Sequence, residues 1–192
     1  MEAGGRAARR VFEAMGRHPN NGAPRRRSAR NLQQSRRAAQ VAWLLVALIV
    51  QKFGGTAVGD PDRIRAVADH VARTKRHGDD VVVVVSAMGN ETDDLLRLAS
   101  EVSATHPGRE MDMLITAGER KSMALMCMAL HDLDVPADSF TGSQAGFLTD
   151  TTHGNARILE VRPDRVRATV DAGRVAVVGG SQGVSTENDV TF

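Results

Sequence analysis

Lys52 stands directly before Phe53 and the pair Gly54-Gly55. Two adjacent glycines let a backbone approach a ligand closely and can aim successive N–H groups at an anion. A lysine beside them adds a compact positive charge suited to phosphate. Ser86 begins a second such constellation, a small hydroxyl followed by Ala87-Met88-Gly89 at the end of five consecutive valines. Thr92 comes next, and its hydroxyl can cap a helix or face a ligand, capping being the commoner use. Glu119, within Thr116-Ala117-Gly118-Glu119-Arg120, is a carboxylate able to receive a substrate ammonium beside a glycine placed inside a helical pattern. Such a glycine predicts a helix break or a close approach. Spacing alone does not separate Lys52 from a solvated lysine before an ordinary turn, nor Glu119 from a solvated Glu-Arg-Lys row.

Other chemistries find less support. The chain contains neither G-x-x-x-x-G-K-[ST] nor G-x-G-x-x-G, so neither of those nucleotide loops is present. His153 has no second His or Cys at ligand spacing, which argues against a metal centre. Met123, Met126, Cys127 and Leu130 recur at helical spacing and read as core, with Cys127 an inert buried thiol.

These residues need elements to hold them. Val46 to Lys52 reads as a buried strand ending in the glycine turn. Asp60 caps a helix with Pro61 at its first position and Ile64, Val67, Ala68 and Val71 on its apolar face, closed by Gly78. Val81 to Val85 reads as a strand buried on both faces, as in a parallel sheet. A helix capped by Thr92 runs through Leu95, Leu96, Leu98 and Val102, and a long one covers Arg109 to about Leu133. Shorter strands are expected near Ser139–Thr141, Phe147–Thr149 and Ala156–Val161, then a helix from Pro163 to Ala172 and a strand at Val175–Val178. Alternating strands and helices predict an α/β sandwich on a mostly parallel sheet. In such sheets ligands sit outside the carboxyl ends of the strands, where Lys52 and Ser86 fall.

The 192 residues are 42% apolar and 25% charged, a globular composition. At roughly 100–200 residues per domain there is room for one domain and at most a small second one. A single cysteine excludes an internal disulfide and fits a reducing compartment. Aromatic residues at 3% leave few stacking platforms for single-stranded nucleic acid. Charge is divided unevenly, with ten Arg against two acids in residues 1–45 and fifteen bases against 21 acids in 46–192. The composition of 1–45 predicts a disordered, Arg-rich leader without function, plausible as upstream sequence translated from an early start codon. A nucleic-acid arm is the weaker alternative, and the apolar run 41–50 falls short of the roughly 20 residues a bilayer needs.

Taken together, VALIVQKFGGTAVGD (46–60), VVVVVSAMGNETDDLL (81–96), REMDMLITAGERKSMAL (109–125), SFTGSQAGFLTDTTHGNARI (139–158) and SQGV (181–184) resemble bacterial aspartokinases of the amino-acid kinase family. The TAGER and SFTGSQAG segments separate the chain from uridylate, acetylglutamate and glutamate kinases. The resemblance implies an amino-acid-kinase-like sandwich over 46–192, the N-terminal portion of a catalytic domain. It also implies ATP-dependent phosphorylation of the L-aspartate side chain, the first step toward lysine, threonine and methionine. By the same resemblance, Lys52 holds the transferring phosphoryl group, and Lys52, Phe53, Gly54, Gly55 and Ser86 bind the ATP phosphates. Thr92 and Glu119 bind aspartate, Glu119 through its α-ammonium. Magnesium accompanies the ATP, with no protein ligand identified for it. The expected location is cytoplasmic, with no membrane or nucleic-acid partner, and oligomerisation falls mostly to a regulatory part not present here.

Three departures qualify the match. Ala57 replaces a usual serine, and Gly179-Gly180-Ser181 stands where Ala-Gly-Phe is usual. Asp189-Val190-Thr191 meets Phe192 instead of a Thr-Leu-Gly-Arg-Gly-Gly-Ser-Asp loop, whose arginine would clamp the substrate carboxylate. The expectation is an incomplete, inactive catalytic fragment with the Val175–Val178 strand left uncovered. The alternative is a non-catalytic remnant or interaction module that keeps the kinase fold.

Overall fold

In a computed structural model the residues described are 46–192, so the expectations for residues 1–45 lie outside it. Strand β1 (Leu48–Phe53) leads into a 3-10 turn over Gly55–Val58 and helix α1 (Pro61–Arg76). Asp60 caps α1, its carboxylate accepting from the Arg63 N–H at 2.8 Å, with Pro61 at the first helical position. Then come β2 (Asp80–Val85), α2 (Glu91–Val102) and the long α3 (Gly108–His131). The order continues through β3 (Ala137–Phe140), the single turn α4 (Gly142–Ala145), β4 (Phe147–Thr149), β5 (Ile158–Val161) and α5 (Asp164–Asp171). The last three strands are β6 (Val175–Gly179), β7 (Gly183–Ser185) and β8 (Val190–Thr191).

Four strands form an all-parallel sheet in the order β1-β2-β6-β3. Alternation along its strands serves two apolar layers. Val81, Val83, Val85, Val175 and Val177 pack with Ile64, Val71, Met123, Met126 and Leu130 from α1 and α3. Ala176 and Val178 turn the other way, toward Phe140, Ala145 and Val170, the last on α5. A second, mixed sheet carries the order β5-β4-β7-β8.

Several expectations need correction. β1 is an edge strand rather than a buried one, and Leu48 and Val50 are exposed on its open face. β2 alternates, with Val81, Val83 and Val85 fully buried and Val82 and Val84 only half-buried. α2 buries none of its residues, and Thr92 is its second residue, not its cap, which is Asn90 without a side-chain hydrogen bond. α3 runs unbroken through Gly118, where the close approach is the feature realised. A Cβ on Gly118 would lie 3.0 Å from that of Ala87 and 3.2 Å from Glu91 Cγ. The Val175–Val178 strand is not uncovered, because β6 runs between β2 and β3 and every residue of it is buried. Sequence reasoning missed β7, β8 and α4, whose two to four residues are too short for a hydrophobic period to show.

Candidate active site

The register of the parallel sheet places its carboxyl ends level. Phe53 pairs with Val85, Val85 with Gly179, and Phe140 with Val178. Four loops therefore leave from one edge, beginning at Gly54, Ser86, Thr141 and Gly180. A ligand is expected along that edge.

The first two loops interlock. The Gly89 N–H donates to Gly55 O at 3.0 Å, and the Ser86 N–H to Phe53 O at 3.3 Å. Gly55 has no space for a side chain, since a Cβ there would fall 2.7 Å from Ala87 O and 3.2 Å from Gly89 O. Lys52 is exposed, and its Nζ lies 3.7 Å from where a Gly54 Cβ would be, so the ammonium folds over the glycine turn. Ala57 in that turn is exposed, while Val58 is fully buried and anchors it.

α3 ties the other loops in. Ser122, almost fully buried, donates its hydroxyl to Ser86 O at 2.7 Å. One turn earlier Glu119 is 2% exposed, which overturns the solvated-row reading for this residue, although Arg120 and Lys121 beside it are exposed. Its Oε2 accepts from Gln182 Nε2 at 2.9 Å and from the Ser181 N–H at 3.2 Å. Its Oε1 lies 3.8 Å from where a Cβ on Gly180 would be, and Gly180 is exposed to solvent. The Gly180 N–H donates to Val85 O at 2.9 Å, locking the β6 loop against the β2 loop. Glu91 at the start of α2 pairs with Lys121, which brings the half-buried Thr92 to the same end of the fold.

Lys52, Phe53, Gly54, Gly55, Ser86, Thr92 and Glu119 thus fall at or beside one carboxyl edge, a cation at one end and a buried carboxylate at the other. Such a layout can hold a phosphate-bearing ligand and an ammonium-bearing one side by side. Ser122 and Gln182 were not singled out from sequence, because their partners lie 36 and 63 residues away. Cys127 is buried, and desolvation, helped by the nearby Asp138, pushes its thiol up to about 12. Such a thiol stays protonated and inert. His153 is engaged by the fully buried Asp112, its Nδ1 2.8 Å from Asp112 Oδ2.

Known proteins resemble the chain in sequence and fold. The model of the amino acid kinase family matches residues 47–192. The aspartokinase of Mycolicibacterium smegmatis is 58% identical over 147 residues, covering 76% of this chain and 35% of the relative. That of Corynebacterium glutamicum is 56% identical over the same length and shares. The crystal structure of aspartate kinase from Synechocystis superposes with a TM-score of 0.65 at 47% identity, covering 76% of this chain and 24% of that one. E. coli aspartokinase III in complex with aspartate and ADP shares the fold at 20% identity, with a TM-score of 0.62 over 76% of this chain and 43% of that one. The chain spans about a third of the length of the curated relatives it matches.

Proposed function

The chain belongs to the amino acid kinase family, and from that premise we propose that its carboxyl-edge site serves an aspartate kinase. The reaction transfers the γ-phosphoryl group of ATP to the side-chain carboxylate of L-aspartate, giving 4-phospho-L-aspartate and ADP. Phosphoryl transfer asks a protein mainly for positioning and for charge opposite the equatorial oxygens. Lys52 supplies that charge, and the backbone from Phe53 to Gly55 with Ser86 cradles the phosphates. Magnesium arrives with the nucleotide as part of that substrate. Thr92 and Glu119 hold L-aspartate, the carboxylate of Glu119 receiving the α-ammonium.

The observation that carries this reading is the burial of Glu119 at the edge where Lys52 also stands. A carboxylate that is 2% exposed, with one oxygen held by two donors, is built to receive a cation rather than to solvate a helix face. The relatives named aspartokinase support the choice of substrate. As the chain spans about a third of their length, turnover is assigned to the full-length arrangement, and the 192-residue chain alone is expected to show little or none. We assign the product to lysine, threonine and methionine biosynthesis in the cytoplasm. Among the described residues no helix is long and apolar enough to cross a membrane.

Backbone amide NMR on the labelled chain tests the assignment. Magnesium ATP should shift Gly54, Gly55 and Ser86, and L-aspartate should shift Thr92, Glu119 and Ser181. L-Aspartate shifts confined to other surfaces would overturn it.

A further inference from the structure

We propose that Gln182 is the positioning residue that presents Glu119 to the amino-acid substrate, an inference that rests on the functional reading above. Gln182 is 7% exposed, and its carboxamide is spent on two contacts. Nε2 donates to Glu119 Oε2 at 2.9 Å, and Oε1 accepts from the Gly142 N–H at 3.4 Å. The side chain thereby links α3 to the first turn of α4, across the junction of the two sheets.

Gly179 lies directly beneath this contact. A Cβ there would sit 2.4 Å from Gln182 Nε2, 2.9 Å from its Cδ and 3.0 Å from Glu119 Oε2, so a methyl group at 179 would press on both partners at once. A carboxylate with two oxygens and about four acceptor directions can be fixed through one oxygen and still bind through the other. Gln182 Nε2 and the Ser181 N–H both engage Oε2. Oε1 is then left toward the exposed Gly180, where the α-ammonium enters. Without Gln182 the Glu119 side chain regains rotamer freedom, and the substrate must order it on binding.

Two measurements on the 192-residue chain decide the matter. In the free protein the Gln182 side-chain amide protons should exchange slowly with solvent, and Glu119→Ala, which removes their acceptor, should speed that exchange at least tenfold. Calorimetry should then show Gln182→Leu weakening L-aspartate about tenfold while leaving magnesium ATP affinity unchanged. Gln182→Met, which keeps the length of the side chain without its donor, should reproduce that loss if Gln182→Leu disturbs the fold. Rapid amide exchange in the unsubstituted chain would overturn the inference. So would unchanged L-aspartate affinity in both Gln182→Leu and Gln182→Met while Glu119→Gln loses it, and the functional reading would then survive. Undiminished binding in Glu119→Gln, or none in the unsubstituted chain, would refute the functional reading, and the inference falls with it.

Discussion

Replacing Gly55 with alanine places a methyl carbon 2.7 Å from Ala87 O and 3.2 Å from Gly89 O, both backbone atoms that cannot rotate away. Forced repacking of this kind costs about 1–3 kcal/mol. The displaced loop also weakens the Gly89 N–H to Gly55 O bond, now 3.0 Å, worth about 0.5–1.5 kcal/mol net. A loss of roughly 2–4 kcal/mol follows. At about 2–4 °C per kcal/mol for a chain of this size, the thermal midpoint should fall by roughly 4–16 °C. Gly54 makes the internal control. Its backbone is extended, at φ −73° and ψ 168°, and a Cβ there meets only Lys52 Nζ at 3.7 Å. Gly54→Ala should therefore leave stability within about 1 kcal/mol, on the stabilising side if anything, because the unfolded chain loses freedom. It should still weaken magnesium ATP binding, by placing a methyl group where the phosphates approach the backbone. Urea and thermal unfolding of both variants, with nucleotide calorimetry, separate the two effects. Equal losses of stability at the two positions, or an unchanged midpoint for Gly55→Ala, would refute the idea that the interlocked loops leave no room at Gly55.

Three further outcomes are expected. Asp112 is fully buried and accepts from the Gly154 N–H at 2.9 Å while engaging His153 Nδ1 at 2.8 Å, so Asp112→Ala should cost about 1–3 kcal/mol in urea unfolding through the groups left unpaired. The Cys127 thiol is raised from 9.0 to about 12 in the fold, so above pH 9 the unfolded chain sheds that proton first and stability falls as pH rises toward 12. Cys127→Ala should flatten that alkaline limb, which denaturation at several pH values measures. In a full-length assay Lys52→Ala should mainly lower kcat, whereas Glu119→Gln should raise KM for aspartate and spare KM for ATP; equal, mild effects from both would return them to ordinary surface and core roles.

Much of this architecture is legible in the sequence where the signal is local. Asp60-Pro61 announces α1, five valines announce β2, and the unbroken apolar period from Met123 to Leu130 announces the buried side of α3. Lys52 and Ser86 could be placed at strand ends for the same reason. What stayed hidden depends on distant partners. Glu119 sits in a charged row, and only Ser181 and Gln182, 62 and 63 residues later, reveal that it points inward. The central position of β6 is a matter of strand order, which no periodicity encodes, so the strand could be recognised but not its cover. Thr92 reads as a cap from sequence, whereas Asn90, two residues earlier, begins the helix without using its side chain. Gly118 could mark a break or an approach, and only the packing of Ala87 and Glu91 against it chooses the approach.

The central claim is that this edge phosphorylates a carboxylate, and trapping the product tests it most directly. Residues 46–192 should be exchanged for the matching segment of a complete aspartokinase, and the acyl phosphate captured with hydroxylamine. The account predicts aspartyl hydroxamate that depends on both ATP and L-aspartate and is lost with Lys52→Ala. A folded chimera that makes no hydroxamate, or one whose yield is indifferent to Lys52, would contradict it.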